Sequence, residues 1–141
     1  MKSPVFLDTS CFIYLLEKHP KYFEIIKPIF TMLSINKAVA FTSLITVTEV
    51  LTKPLQDKNT VLVENCLEAF SEIPNLDVVR PNYKIAVEAA KIRAEYNLNL
   101  PDAYQLAIAV DTKCKTFLTN DKKLKRFKEV EVTTLDELIS K

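Results

Sequence analysis

Leu100-Pro-Asp-Ala-Tyr-Gln-Leu-Ala-Ile-Ala-Val-Asp-Thr-Lys-Cys-Lys-Thr-Phe-Leu-Thr-Asn-Asp121 is the stretch on which the fold turns. Its first part, 102–114, reads as a helix of about 13 residues, roughly 20 Å long, and Lys115-Thr-Phe-Leu-Thr119 as a strand of about five residues, roughly 17 Å. The chain therefore goes down and comes back. In a parallel sheet that strand ends at the carboxyl edge, which returns Asp121 to the level at which Asp102 started. Open parallel sheets bind their ligands outside that edge.

Outward from this unit, short apolar strands alternate with longer amphipathic helices. Val5-Phe-Leu leads into Asp8 and a helix from Ser10. Phe23, Ile26, Phe30 and Leu33 mark a second helix at helical spacing, which Pro28 is expected to kink or restart. Ala38–Thr42 is the second strand, and a helix from Ser43 carries Glu49 within about two turns of that strand's end. Leu62, Cys66, Ala69, Phe70 and Ile73 form one apolar stripe, and Ile85, Ala89, Ile92 and Tyr96 another. Between them Leu76-Asp-Val-Val79 is a strand bounded by Pro74 and Pro81. A short basic helix, a last strand Val130-Glu-Val-Thr133 and a helix Leu135–Ile139 complete the pattern. Strands with helices between them predict an α/β fold, a three-layer α/β/α sandwich around a central, mainly parallel five-stranded sheet. No linker, repeat or low-complexity stretch divides it, so residues 1–141 are expected to form a single domain.

Composition excludes several classes. The chain has no glycine, which removes both the dinucleotide fingerprint and the phosphate-cradling P-loop. Left-handed turn positions then fall to asparagine, and Asn36, Asn75 and Asn97 stand where helices should end. The one histidine, His19, lies before Pro20 at the end of the first helix and is expected to cap it, so a hydrolase with a histidine base is disfavoured. Cys11, Cys66 and Cys114 show no metal-ligand spacing and suit reduced core positions in a cytosolic protein. No apolar run is long enough to span a bilayer and no targeting signal is evident. A net charge of +1 announces no global basic field, so any nucleic-acid contact must be local.

Asp8, Glu49, Asp102 and Asp121 all fall where a strand meets a helix at one sheet edge. Each has a bland explanation. Asp8 and Asp121 suit the caps of the helices that follow them, and Asp102 favours its helix dipole. Glu49 lies between apolar Val47 and Val50, where a carboxylate needs a partner. Together, four clustered carboxylates repel one another unless a cation is present. An all-oxygen set without zinc-type spacing selects Mg²⁺ or Mn²⁺. Such ions can activate a water and stabilise a leaving oxygen in phosphodiester hydrolysis.

The order Phe6-Leu-Asp8-Thr-Ser10, Thr48-Glu49-Val50, Pro101-Asp102-Ala103 followed by Ala107, and Leu118-Thr-Asn-Asp121 resembles the PIN domain, in particular the small ribonuclease toxins of toxin–antitoxin pairs. The resemblance runs from residue 5 to about 133. It implies Mg²⁺- or Mn²⁺-dependent cleavage of RNA, with Asp8, Glu49, Asp102 and Asp121 at the acidic positions and Thr9, Ser10, Thr119 and Asn120 as polar support. It also implies an antitoxin partner and a homodimer, for which Ile25, Ile29 and Met32 offer apolar helical surface. Thr112-Lys-Cys-Lys115 stands where many relatives carry glycine. Two other classes share the layout. A PIN-like module could bind RNA without cutting it. A phosphoacceptor receiver has a similar sheet, but would want paired acids after its first strand and an acid after its third, and Val79-Arg-Pro81 offers none. Lys122, Lys123, Lys125, Arg126 and Lys128 follow Asp121 directly. They are either a solvated face or cations that hold RNA phosphates beside the acids.

Overall fold

The computed structural model describes residues 4–139. Its strands are β1 (Val5–Leu7), β2 (Ala40–Ser43), β3 (Leu76–Val79), β4 (Thr116–Thr119) and β5 (Glu131–Thr134). The helices are α1 (Thr9–Leu16), α2 (Phe23–Ser34), α3 (Leu44–Gln56), α4 (Thr60–Glu72), α5 (Tyr83–Tyr96), α6 (Leu100–Asp111) and α7 (Leu135–Ile139), with a 3-10 turn at Lys122–Arg126. The strand order is β3-β2-β1-β4-β5, and every neighbouring pair is parallel, so the sheet is parallel throughout. Strand order reverses between β1 and β4, because the chain moves outward through β2 and β3 and then returns to the other side of β1. A crevice at such a switch point is where a doubly wound sheet receives ligands.

Alternation along the strands builds the two cores. Phe6 and Phe117 face one side and stack with ring centres 5.1 Å apart, among Ile85, Ala89 and Ile92 of α5 and Leu106 and Ile108 of α6. Leu7 and Leu118 face the other side, among Phe12, Ile26, Phe30, Leu33, Cys66 and Leu135. All three cysteines are buried and free.

Several boundaries differ from expectation for local reasons. The α6 helix begins at Leu100 because Asn99 caps it, accepting from the Asp102 amide at 2.9 Å, and Pro101 fits the first turn. It ends at Asp111 rather than 114, where the Thr112 hydroxyl bonds back to the Ile108 carbonyl. Strand β2 starts at Ala40, two residues late, since Asn36 and the Lys37 amide are still closing α2. Pro28 does not restart α2, which runs through it. One amide is lost there, while Ile26, Phe30 and Leu33 keep their shared buried face.

His19 closes α1 as expected through its backbone, its amide donating to the Tyr14 carbonyl at 3.0 Å. Its Nδ1 also accepts from the amides of Lys21 and Tyr22, so the side chain braces the entry to α2 as well. Asn36, Asn75 and Asn97 do adopt left-handed backbone, with φ of 60°, 59° and 56°. Lys18, Lys58 and Lys113 adopt it as well. On α2, Ile25 and Ile29 are half-buried against the core and Met32 is exposed.

Candidate active site

Asp8 is the residue at which β1 stops. Its amide still bonds the Leu118 carbonyl of β4 at 3.0 Å, which pins it at the switch point. One carboxylate oxygen accepts from the Thr9 amide at 2.7 Å and caps α1; the other accepts from the Thr119 hydroxyl at 2.7 Å. Thr119 Oγ1 in turn accepts from the Asp121 amide at 3.1 Å, so one buried hydroxyl sets two acids. Asp121 caps the 3-10 turn through the Lys123 amide. The Thr9 hydroxyl donates to Glu49 at 2.6 Å. Capping and a place in this hydrogen-bonded edge are therefore not alternatives here, since Asp8 and Asp121 both cap a helix and share Thr119.

Electrostatics tie the four together. Burial pushes the Asp8 carboxyl up to about 6, with Asp102 and Glu49 adding repulsion against the hydrogen bonds that favour its charge. Asp102 is also raised, by burial first and then by Asp121 and Glu49, while Lys123 pulls it back. Asp8 and Asp102 thus each feel two other acids of the set. Among the described residues, no three His, Cys, Asp or Glu side chains stand close enough together to hold an ion as they are. The donor set is nevertheless all hard oxygen, and repulsion within it is what a cation would relieve. Two buried polar atoms beside it, Ser10 Oγ and Asn120 Oδ1, have no partner among the described residues.

Glu49 departs from expectation. It is exposed, since α3 turns Val50 into the core and leaves Glu49 projecting over the edge; its partner is Thr9, not a buried cation. Behind the acids lies a network absent from the sequence reading. Ser43 bonds Gln105, Gln105 Nε2 donates to Thr46 Oγ1 at 2.6 Å, and Thr42 joins Thr46 at 2.8 Å and the Leu7 carbonyl at 2.8 Å. Every side chain in it is buried. It locks α6 one turn past Asp102 to α3 one turn before Glu49. Its sequence signal is a glutamine inside the apolar run Ala103–Ala109 and a threonine three residues before the acid.

The basic segment divides. Lys125 is bound to Glu137 and to the Val132 carbonyl, and Arg126 reaches the Tyr96 carbonyl at 2.8 Å. Lys123 Nζ stands 4.0 Å from Asp121, while Lys122 and Lys128 are exposed.

The PIN domain family model matches residues 5–130. The chain belongs to the PIN domain family. Its fold is similar to that of solved toxin–antitoxin structures. A chain of VapBC2 from Rickettsia felis, bound to a DNA fragment from its promoter, matches with a TM-score of 0.75 at 19% identity, covering 93% of this chain and 98% of that one. A toxin–antitoxin complex from Klebsiella pneumoniae matches at 0.71 and 24%, covering 93% and 97%. VapC20 from Mycobacterium tuberculosis, described as a toxin that cleaves the sarcin–ricin loop, matches at 0.71 and 15%, covering 90% and 98%. No curated protein matches by sequence. Lys113 takes the left-handed conformation at φ 60°, so the turn before β4 forms without glycine. Among the described residues, no helix is long and apolar enough to cross a membrane.

Proposed function

We propose that this chain is a Mg²⁺- or Mn²⁺-dependent endoribonuclease, acting as one 1–141 unit and as the toxin of a toxin–antitoxin pair. The observation that carries the reading is Asp8, pinned at the switch point of a PIN fold, sharing Thr119 with the Asp121 amide and pushed up to about 6 by burial with Asp102 and Glu49 adding repulsion. Asp8, Glu49, Asp102 and Asp121 would hold the metal. A divalent ion there supplies an acidified water and charge neutralisation for the phosphate being attacked.

The protein's own groups orient that site. Thr119 aims Asp8 and Asp121, Thr9 aims Glu49, and the Gln105 network keeps α3 and α6 in register behind them. Thr9 and Thr119 therefore serve as support, and the unpartnered Ser10 and Asn120 atoms are suited to a bound water or ion. Lys122, Lys123 and Lys128 are the cations that would meet RNA phosphates, with Lys125 and Arg126 holding the segment in place. The structural neighbours are toxin–antitoxin assemblies, which supports a protein partner of that kind. A homodimer and a cytosolic setting with reduced cysteines are parts of the same proposal.

A second reading, a PIN module that binds RNA without cutting it, draws on the spacing of the acids, no three of which stand close enough together among the described residues to hold an ion as they are. Incubating the protein with RNA in Mn²⁺, with and without EDTA, separates the two. Cleavage that EDTA abolishes supports the nuclease; intact RNA in both lanes leaves the binding module.

A further inference from the structure

The segment that delivers Asp121 is held from two sides. Toward the sheet, the Thr119 hydroxyl donates to Asp8 and accepts from the Asp121 amide. Toward α1, the Asn120 side chain donates through Nδ2 to the Tyr14 hydroxyl at 3.1 Å. Tyr14 is itself firmly clamped. Its ring stacks on that of Tyr22, with centres 4.7 Å apart and planes 22° from parallel, and lies against His19 at 4.8 Å. Tyr22 is anchored in turn by donating to Asp136 of α7 at 2.8 Å. The hydroxyl that meets Asn120 is thus presented from a cluster that joins α1, the entry to α2 and α7. With Nδ2 committed to Tyr14, the amide oxygen of Asn120 is left buried and without a partner among the described residues. The other such atom, Ser10 Oγ, belongs to the face of α1 that carries Tyr14, one turn nearer Asp8.

We propose that Tyr14 is a positioning residue for the acid edge: by holding the Asn120 amide it sets where the next residue, Asp121, offers its carboxylate to the divalent ion. The inference rests on the metal site proposed above and adds a residue that acts from one step behind it. Thr119 fixes the Asp121 amide, but a hydroxyl within the same turn cannot by itself fix the turn against α1, whose first residue follows Asp8. The Tyr14–Asn120 bond supplies that second tie, so Asp8 and Asp121 are referred to the same helix. A ligating group has to be held to within about 0.5 Å to serve an ion. Partners that orient ligands from behind are worth about 10–100-fold in metal affinity for that reason. The ring and the hydroxyl of Tyr14 do separate things: the ring packs on Tyr22 and His19, and the hydroxyl alone reaches Asn120.

The test is calorimetric titration of the full chain with Mn²⁺ at pH 7, beside thermal melts of the same proteins in EDTA. Tyr14→Phe, which keeps the ring and removes the hydroxyl, should bind Mn²⁺ about tenfold more weakly than the parent while melting close to it. Asn120→Ala should weaken binding at least as much, and Tyr14→Phe added to Asn120→Ala should weaken it no further, because the two residues act through one bond. Tyr22→Phe removes the bond to Asp136 and keeps the stack, so it should lower the melting temperature and leave Mn²⁺ affinity at the parent value. Three results overturn the inference alone: equal Mn²⁺ affinity in the parent and Tyr14→Phe, a full tenfold loss from Tyr14→Phe on top of Asn120→Ala, or a loss of affinity in Tyr22→Phe as large as that in Tyr14→Phe, which would make Tyr14 a general support of the fold. A parent protein that binds no Mn²⁺ overturns the metal site itself, and the inference with it.

Discussion

Two carboxylates of this molecule are held in opposite ways. Glu137, on α7, receives Lys125, the Thr134 amide and the Thr134 hydroxyl, and these hold its carboxyl down at about 2. Asp8 receives only neutral donors, faces Asp102 and Glu49, and is pushed up to about 6. The fold closes the first charge within itself by clasping the 3-10 turn, β5 and α7 together. It leaves the second open. Under the proposed function, a cation completes that uncompensated edge from outside.

The largest effect that would break this contrast is on catalysis. Asp8→Asn and Asp102→Asn should each lower Mn²⁺-dependent RNA cleavage by more than about 100-fold, beyond the loss expected for an outer partner of a metal ligand. Circular dichroism should show both variants folded. Near wild-type rates for either variant at saturating Mn²⁺ would remove that acid from the site.

Stability against pH sharpens the comparison next, because the two acids carry opposite signs. A carboxyl at about 6 in the fold and 3.8 in the free residue keeps its proton longer when folded, so metal-free protein should lose stability as pH rises from about 4 through 6. Asp8→Asn should relieve this, melting higher than the parent in EDTA at pH 7 by on the order of 2–3 kcal/mol, with the gap closing near pH 4. A melt in which the variant is less stable at pH 7 would mean the carboxylate is a net structural partner. Gln105→Leu should cost about 1–3 kcal/mol in urea unfolding by stranding Ser43 and Thr46, whatever the pH. Smallest of all is Glu137→Gln. Its lowered pKa makes a contribution that is present above about 4.5 and lost as pH falls toward 2, so the variant should melt slightly lower at pH 7 and like the parent at pH 2. A gap that widened in acid would contradict the clasp.

Much of this edge was legible in the sequence because strand and helix lengths are physical rulers. Asp8, Asp102 and Asp121 fall at junctions whose level follows from rise per residue, and the parallel pairing of β1 with β4 sets the strand ends that carry Asp8 and Asp121 side by side. Other features were illegible for definite reasons. Apolar neighbours at Val47 and Val50 do not say which way Glu49 turns, and only the packed helix shows it projecting outward. Nothing in the residue type announces left-handed backbone at Lys18, Lys58 and Lys113, where propensity argues against it. Gln105 hides in an apolar run because its partners Ser43 and Thr46 lie about 60 residues away. The charge run 122–128 looks uniform, yet tertiary contacts commit Lys125 and Arg126 and leave Lys122 and Lys128 exposed.

The central claim, that the open acids at the switch point await a divalent cation, is tested most directly by titration calorimetry with Mn²⁺. The parent protein at pH 7 should bind the ion, more weakly at pH 5 where Asp8 takes up a proton, and Asp8→Asn should abolish the binding. Equal Mn²⁺ affinity in the parent and in Asp8→Asn, unchanged between the two pH values, would contradict it.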